Sequence, residues 1–241
     1  MCTVTYIPPV SGNSFILTSN RDEKEKRLTV PPAKYKHDMT ILVYPKDLKA
    51  GGSWIAINDK GKISCLLNGG YTLHKKKDYY AVSRGKLLLD FTASDLSPSQ
   101  FFEKQDLENV EPFTIISFQE SDCIIQNFNE FIWDGNKKNI RKLDTKSPYI
   151  WSSVTLYNQK QRMMRKEWFT SFYKEYRDKL TPGNLRAFHT GKHTNDSTFN
   201  VIMHRTGGLK TVSIAQVTLE GSQHKMLYKD LLNTTEYELI L

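Results

Sequence analysis

Long apolar runs are missing from this sequence, and cysteine is scarce. No stretch approaches the roughly 18 consecutive apolar residues that a membrane-spanning helix needs, so no membrane span is predicted. The three cysteines, Cys2, Cys65 and Cys123, are an odd number at wide spacing. They therefore give neither a disulfide framework nor a zinc ribbon. Cys65 and Cys123 lie in apolar, strand-like runs and are predicted to be small buried side chains.

A secretory signal is also absent from the first residues. The N-terminus has no basic start, and Pro8 and Pro9 stand where a signal peptide needs an apolar helix. We therefore expect a cytoplasmic protein. Apolar residues make up 39% of the 241 residues, which is enough for a folded core. No break in composition divides the chain, so one domain over residues 1–241 is predicted, with no indication of an oligomeric state.

The formal charge of +8 is not concentrated in one place. The densest basic run is Lys75–Lys77, which is better interpreted as a solvated loop than as a nucleic-acid footprint. No phosphate-binding loop is present either, since "GGYTL" and "RTGG" match neither common glycine-rich pattern. No nucleic-acid partner is therefore predicted, although the charge would attract a small anionic substrate.

The order of predicted elements favours an α+β fold. Short alternating strands come first, helices follow, strands resume, and the longest helix, Asn158–Leu180, precedes the last strands. Without βαβ alternation, antiparallel sheets with helices on their faces are expected. In the long helix, Lys and Arg are expected on the exposed side. Pro31 and Pro32 predict a loop, and Pro182 and Gly183 predict that a second loop follows the long helix.

A predicted hairpin brings the charged stretch "NRDE" close to the start of the chain. Thr3–Ile7 alternates as a strand, and Ser14–Asn20 follows as a second, apolar strand after the turn residues Ser11–Asn13. An antiparallel pair with this turn sets residues near 20–22 opposite residues near 2–4. Cys2, Arg21 and Asp22 are therefore predicted neighbours. Taken alone, a charge run of this kind is more often a solvated turn.

Cys2 becomes the first residue if Met1 is removed. It then carries a thiol and a neutral α-amine that can accept the thiol proton, which together form a nucleophile and its base. The alternative is a minor packing residue on an edge strand. Asn68 ends the run "LLN" before two glycines, where its amide could stabilise an oxyanion or simply belong to a turn.

The histidines give a weak metal signal. His189 and His193 are four residues apart, with Asp196 and His204 downstream. No HExxH pattern is present, and the nearby glycines favour a loop, so no metal site is predicted.

Several motifs together resemble the NRDE family, the family of transport and Golgi organisation protein 2. They are "MC" at the start, "SNRDE" at 19–23, "KDLKAGGSWIAIN" at 46–58, "GKISCLLN" at 61–68 and "SRGKLLLDF" at 83–91. They cover the first 90 or so residues in the family's order. Further along, "YIWSSVTLYN" at 149–158 and "LKTVSIAQV" at 209–217 resemble two later family stretches more weakly.

The family in turn resembles the cysteine branch of the N-terminal-nucleophile (Ntn) hydrolases. This resemblance implies an αββα sandwich of two antiparallel sheets, with Cys2 as nucleophile. Arg21, Asp22 and Asn68 match catalytic positions. The amidases order the charged motif as Arg-Asn-x-Asp, which leaves Asn20 and Arg21 as alternatives for the arginine's role in substrate contact.

Two positions depart from the family pattern. Ser153 stands where the family has asparagine, and Lys210 where it has arginine before threonine. Both are candidate substrate contacts, and Lys210 keeps the charge but loses bidentate carboxylate recognition.

Two functions are consistent with these residues. The first is hydrolysis of a linear amide C–N bond, which needs no cofactor. The second is a non-catalytic trafficking or binding protein of the same fold that handles haem or an acyl lipid, with Cys2 or a histidine as a haem ligand.

Overall fold

A computed structural model describes residues 3–9, 15–220 and 222–241, except for the side chain of Asp178. The chain forms two compact units: residues 1–27 with 146–240, and residues 28–145 with Leu241. Met1, Cys2 and the predicted turn at Ser11–Asn13 lie outside the described residues. The single domain predicted from the sequence stays a prediction.

Thirteen strands and four α-helices make up the described part of the chain. In chain order the strands are β1 (Thr3–Ile7), β2 (Ile16–Lys24), β3 (Thr29–His37), β4 (Thr40–Asp47), β5 (Ile55–Asn58), β6 (Lys62–Asn68), β7 (Phe113–Ser121), β8 (Ile124–Trp133), β9 (Lys138–Lys142), β10 (Tyr149–Ser152), β11 (Leu209–Glu220), β12 (Gln223–Asp230) and β13 (Thr235–Ile240). The helices are α1 (Arg84–Ala93), α2 (Pro98–Glu103), α3 (Gln159–Tyr176) and α4 (Pro182–Thr190). No helix in these ranges is long and apolar enough to cross a membrane.

The first unit contains a six-stranded antiparallel sheet in the order β10-β1-β2-β11-β12-β13. Helices α3 and α4 pack on it through an apolar cluster that includes Ile7, Ile16, Phe169 and Phe188. Because side chains alternate along a strand, every second residue of β1 and β2 faces these helices.

The second unit contains a seven-stranded antiparallel sheet that runs from β3 to β9 in sequence order. Helices α1 and α2 pack on a core in which the Phe102 and Phe131 rings stack at 3.7 Å. Ser97 caps α2, and Pro98 stands in its first turn, where its missing N–H has no helical partner. The α+β class with antiparallel sheets is thus confirmed.

The predicted loop at Pro31 and Pro32 is wrong, because both residues lie within β3. This strand is at the edge of its sheet, and its pairing with β4 shifts between Val30 and Ala33. An edge strand with a bulge tolerates residues that cannot donate a ladder hydrogen bond.

The loop predicted after the long helix is also wrong. Pro182 instead begins α4, where Thr181 caps the helix by accepting from the Asn184 backbone N–H. Proline is well suited to the first helical turn, because its missing N–H would have no helical partner there.

The two described cysteines have different environments. Cys65 is fully buried, as predicted, but Cys123 is exposed, so that prediction was wrong. Asp122 and Cys123 form the turn between β7 and β8 with φ values of 51° and 63°. Two left-handed residues match the twist of a tight hairpin, and a turn of this kind is exposed.

Candidate functional site

The start of β1 lies between two strands that carry predicted site residues. Thr3 pairs with Asn20 of β2 on one side and with Ser152 of β10 on the other. The predicted hairpin register is therefore confirmed for the described residues. Arg21 and Ser153 follow these two partners in the sequence, so both lie next to the first described residue of the chain.

Asn20 is fully buried and holds α4 and a following loop against the sheet. Its amide nitrogen donates to the carbonyl oxygens of His189 at 3.1 Å and Val201 at 2.9 Å. Its Oδ1 lies 2.6 Å from His189 Nδ1. Both amide hydrogens are therefore used inside the protein, so this geometry does not support a substrate contact through the Asn20 amide N–H.

His189 completes this buried chain of hydrogen bonds. Its Nε2 lies 2.7 Å from Thr5 Oγ1, and Asn20 Oδ1 can only accept, so the ring carries its proton on Nδ1. Burial, together with the nearby Arg165 and His193, lowers the pKa of His189 to about 3. The ring is therefore neutral at pH 7.

Arg21 is almost fully buried in the middle of β2. Side-chain alternation directs it to the opposite face of the sheet from Asn20. Its guanidinium donates to the carbonyl oxygen of Arg27 at 3.1 Å. The solvated charged turn that a charge run suggests is therefore absent at Asn20–Asp22, because β2 continues through them.

Asp22 is a buried carboxylate with two short hydrogen bonds. Tyr157 donates from its hydroxyl to Oδ2, and Thr211 donates to Oδ1, both at 2.6 Å. Hydrogen bonds to an ionised acceptor are short and about twice as strong as neutral ones, which makes a buried carboxylate tolerable here.

Arg165 was not predicted as a site residue, and its position contradicts the expected exposed charged face of α3. It is fully buried. Its guanidinium donates to Thr3 Oγ1 and to the carbonyl oxygens of Phe199 and Asn200, and it lies over the Tyr157 ring at 3.5 Å. One cation thus links the start of β1 to the ring that donates to Asp22.

The sequence contains one signal for the burial of Arg165. It lies four residues before the buried Phe169, and residues at this spacing share one face of a helix.

Ser153 and Lys210 already have partners in the first unit. Ser153 Oγ lies 2.8 Å from Thr155 Oγ1 and is 2% exposed. Lys210 Nζ lies 3.0 Å from Glu25 Oε2. The hydrogen bond and charge of Lys210 lower the pKa of Glu25. An anion that binds Lys210 must therefore compete with Glu25.

Asn68 belongs to the second unit, where it ends β6 and pairs with Phe113. Gly69 follows with φ +89°, and a Cβ at Gly70 would lie 2.9 Å from Asp134 Cα. The Asn-Gly-Gly run therefore ends a strand in a close backbone turn. Its predicted oxyanion role stays a prediction.

Two motifs of the family resemblance meet in the second unit. A Cβ on Gly52 would lie 2.4 Å from the backbone carbon of Gly85, and Ser53 N–H donates to the Gly85 carbonyl at 3.3 Å. The glycines of "GGSW" and "SRGK" allow this close approach of two backbones. The glycines of both motifs therefore have a structural role in this unit, which is the close packing of these two backbone segments.

Of the histidines considered for metal binding, His189 and His193 are engaged in packing, whereas His204 is exposed. His193 Nε2 lies 2.9 Å from the Phe188 carbonyl oxygen, and its ring stacks on Trp168. Over the described ranges, no group of three or more His, Cys, Asp or Glu side chains is arranged to hold a metal ion.

Comparison with known proteins places these features in a family. The family model described as Transport and Golgi organisation 2 matches residues 1–221. The transport and Golgi organization protein 2 homolog of Homo sapiens is 31% identical over 104 residues, and that of Mus musculus is 32% identical over the same length. Each alignment covers 42% of this chain and only 37% of the relative.

Solved amidases share the fold. A Caenorhabditis elegans N-acylethanolamine-hydrolyzing acid amidase ortholog aligns with a TM-score of 0.58 and 12% identity, covering 89% of this chain and 92% of its own. A C2A mutant of the conjugated bile acid hydrolase from Clostridium perfringens aligns with a TM-score of 0.55 and 12% identity, covering 99% and 92%. Penicillin V acylase from Agrobacterium tumefaciens aligns with a TM-score of 0.50 and 10% identity, covering 99% and 86%. At these identities the likeness shows the fold alone, and it confirms the predicted Ntn-hydrolase fold.

Proposed function

Because this chain belongs to the Transport and Golgi organisation 2 family and has an Ntn-hydrolase fold, we propose that it is a hydrolase with Cys2 as N-terminal nucleophile. The bond cleaved is a linear amide C–N bond. The observation that carries the proposal is the pairing of Thr3 between Asn20 and Ser152.

Covalent geometry links that pairing to Cys2. Cys2 is joined to Thr3 by one peptide bond, and consecutive Cα atoms are about 3.8 Å apart. Arg165 fixes Thr3 by a hydrogen bond to its hydroxyl. The buried charges of Arg21 and Asp22 are supplied by the adjacent strand. This is a suitable setting for a nucleophile, because a nearby guanidinium favours the thiolate over the thiol.

The proposed reaction has two steps. The Cys2 sulfur attacks the amide carbonyl carbon, and the α-amine transfers the thiol proton to the leaving nitrogen as the C–N bond breaks. A thioester remains and an amine departs. Water then attacks the thioester, which releases a carboxylic acid and restores the thiol. Asn68 is proposed, with a backbone N–H, to stabilise the oxyanion of each tetrahedral intermediate.

The substrate class follows from the fold relatives and the charges of the first unit. Two of the relatives are named for hydrolysing N-acylethanolamines and conjugated bile acids. We propose a linear N-acyl amide with an anionic group that contacts Arg21 or displaces Glu25 from Lys210. Glu25 is half exposed and can move into solvent without leaving a buried charge.

Intact-mass measurement of the native protein tests the first requirement. The proposal expects a mass without Met1 and preferential alkylation of Cys2. Cys123 is exposed and serves as the reference for an ordinary thiol, whereas Cys65 is buried and should react only after unfolding. Retained Met1, or labelling of Cys2 no faster than of Cys123, would exclude this mechanism.

Turnover of a panel of N-acyl amides tests the reaction itself. Cys2→Ala should abolish product release, and Cys2→Ser should lower it strongly, because a hydroxyl is a weaker nucleophile at neutral pH. Cys123→Ala is the matched control and should keep full activity. Equal turnover by wild-type protein and Cys2→Ala would refute the proposal.

A non-catalytic binding role is the second candidate. It is favoured by Ser153 and Lys210, which replace the family's asparagine and arginine and already bond to Thr155 and Glu25. Haem is the ligand to test, with Cys2 as its axial ligand. Addition of haem to wild type and to Cys2→Ala distinguishes the outcomes. A Soret shift that is lost in Cys2→Ala supports haem binding through Cys2. An unchanged haem spectrum with both proteins excludes haem binding.

The cytoplasmic location is part of the proposal, as is a single functional domain. A fluorescent fusion of the full chain tests the location. Accumulation in the lumen of the secretory pathway would contradict it.

A further inference from the structure

The segment 71–82, between β6 and α1, exposes apolar side chains in an unusual number. It contains no helix or strand. Leu73 and Tyr79 are each 72% exposed, and Tyr71 is 53% exposed, with Val82 also exposed. Single exposed apolar residues are ordinary on protein surfaces, but several in one short segment indicate a contact surface.

Polar groups attach this segment to its own unit. His74 Nε2 lies 3.3 Å from Glu111 Oε1, and Ala81 N–H donates to the Asn109 carbonyl at 2.8 Å. Within the segment, the Lys77 N–H donates to the Tyr80 hydroxyl at 2.9 Å. The inward contacts are thus made by polar groups, while Tyr71, Leu73 and Tyr79 face solvent. In a loop that contacts only water, the hydrophobic effect would favour the opposite arrangement, with apolar side chains inward and polar groups outward.

The exposed apolar residues surround a run of positive charge. Lys75, Lys76 and Lys77 are exposed, and with Asp78 they give the segment a formal charge of +2. Within the described residues, Lys75 and Lys76 form no ion pair. Their charges are therefore available to an external anion.

We propose that the 71–82 segment docks on a lipid surface that carries anionic headgroups. Tyr71 and Tyr79 suit the headgroup boundary, where rings with one polar end accumulate. Leu73 and Val82 would enter the apolar edge of the bilayer, and Lys75 and Lys76 would meet the headgroup charges. Single-stranded nucleic acid also combines charge with stacking, but it gains little from aliphatic Leu73 and Val82. This inference is independent of the proposed hydrolysis.

Co-sedimentation with vesicles tests the proposal. The full chain is mixed with vesicles of phosphatidylcholine containing 30% phosphatidylserine, or with pure phosphatidylcholine, at about 0.1 M salt. Binding is expected only to the anionic vesicles. Lys75→Gln with Lys76→Gln should lower the partition coefficient by about 30-fold, because each lysine near an anionic surface accounts for about fivefold. Leu73→Ser with Tyr79→Ser should lower it by at least tenfold.

Matched variants elsewhere in the same unit control for general charge and apolarity. Lys104→Gln with Lys142→Gln removes two exposed lysines, and Met39→Ser removes a side chain that is 92% exposed. Both control variants should bind the anionic vesicles as wild type does. The melting temperatures of all the variants should equal that of wild type. Equal binding to both vesicle types, no binding, or equal loss in the controls would overturn the proposal. So would binding of a 20-nucleotide single strand, lost in the segment's lysine variant, without vesicle binding.

Discussion

Tyr157 donates a hydrogen bond of 2.6 Å to Asp22, and this bond joins the segment after β10 to the strand β2. The same Tyr157 ring lies under the guanidinium of Arg165, which donates to Thr3. The Asp22 carboxylate, the Tyr157 ring and the Arg165 guanidinium thus form a connected chain of contacts that ends at Thr3, the first residue of β1. Their burial makes each contact costly to lose, because water cannot replace the missing partner.

Replacement of Tyr157 by Phe is expected to reduce stability. It removes a donor to the buried Asp22 carboxylate and keeps the ring under Arg165. A hydrogen bond to a charged group contributes about 1.5–3 kcal/mol, so the free energy of unfolding in urea should fall by that amount. Tyr79→Phe, at an exposed hydroxyl, should change it by less than about 0.5 kcal/mol. Equal values for the two variants would contradict this account of Asp22.

Replacement of Arg165 by Met should be more damaging. It leaves Thr3 and the carbonyl oxygens of Phe199 and Asn200 without their donor, and the expected loss in unfolding free energy is about 3 kcal/mol or more. Arg165→Lys should recover only part of this loss, because one ammonium cannot reach all three acceptors. Lys166→Met changes an exposed neighbour on the same helix and should be nearly neutral. Complete rescue by lysine would show that charge alone matters.

His189 predicts a stability that falls in acid. Its pKa is about 3 in the folded protein against an ordinary value of 6.5, mainly because the ring is buried. Between these values the unfolded chain binds a proton that the folded chain does not. Stability is therefore fully present above pH 6.5 and is lost as the pH falls towards 3.

The His189 contribution can be isolated by urea unfolding at pH 7 and pH 4. Wild type should lose about 3 kcal/mol more than His189→Gln over this interval, since the glutamine does not titrate. His204→Gln, at an exposed position, should lose as much as wild type. The same acid loss in both variants would mean that other groups cause it.

A methyl group at Gly85 should disturb the second unit. Its Cβ would lie 2.8 Å from the Ser53 carbonyl oxygen, which is closer than packed atoms approach, so the backbones must separate. We expect Gly85→Ala to lower the unfolding free energy by about 1–3 kcal/mol. At Gly183 the nearest contact of an added Cβ is an ordinary 3.7 Å. Gly183→Ala should therefore be neutral or stabilise by up to about 1 kcal/mol.

Local patterns were sufficient for much of the fold. The alternation in Thr3–Ile7 predicted β1, and the turn residues after it predicted its pairing with β2, because period and chain reversal depend on neighbouring residues alone. The family motifs added the Ntn-hydrolase fold, which the structure shares with solved amidases.

Other features depend on which surfaces meet, and no local pattern carries that information. Pro31 and Pro32 belong to a strand because β3 is at the edge of its sheet and needs no ladder bond there. Cys123 is exposed because it occupies a tight turn.

The candidate site also has features that local sequence predicts and features that depend on tertiary packing. The sequence alone was enough to bring "NRDE" to the start of the chain, since hairpin register follows from the length of two strands and a turn. Only the tertiary structure decided that Asn20 is hydrogen-bonded to His189 and that Asp22 is hydrogen-bonded to Tyr157. In each pair the two residues are more than 130 positions apart in the sequence. It also decided that Arg165 is buried. The reason is physical: a polar side chain within a packed layer takes whatever partner the opposing element presents, and that partner is chosen by the packing of α3, α4 and the sheet as a whole.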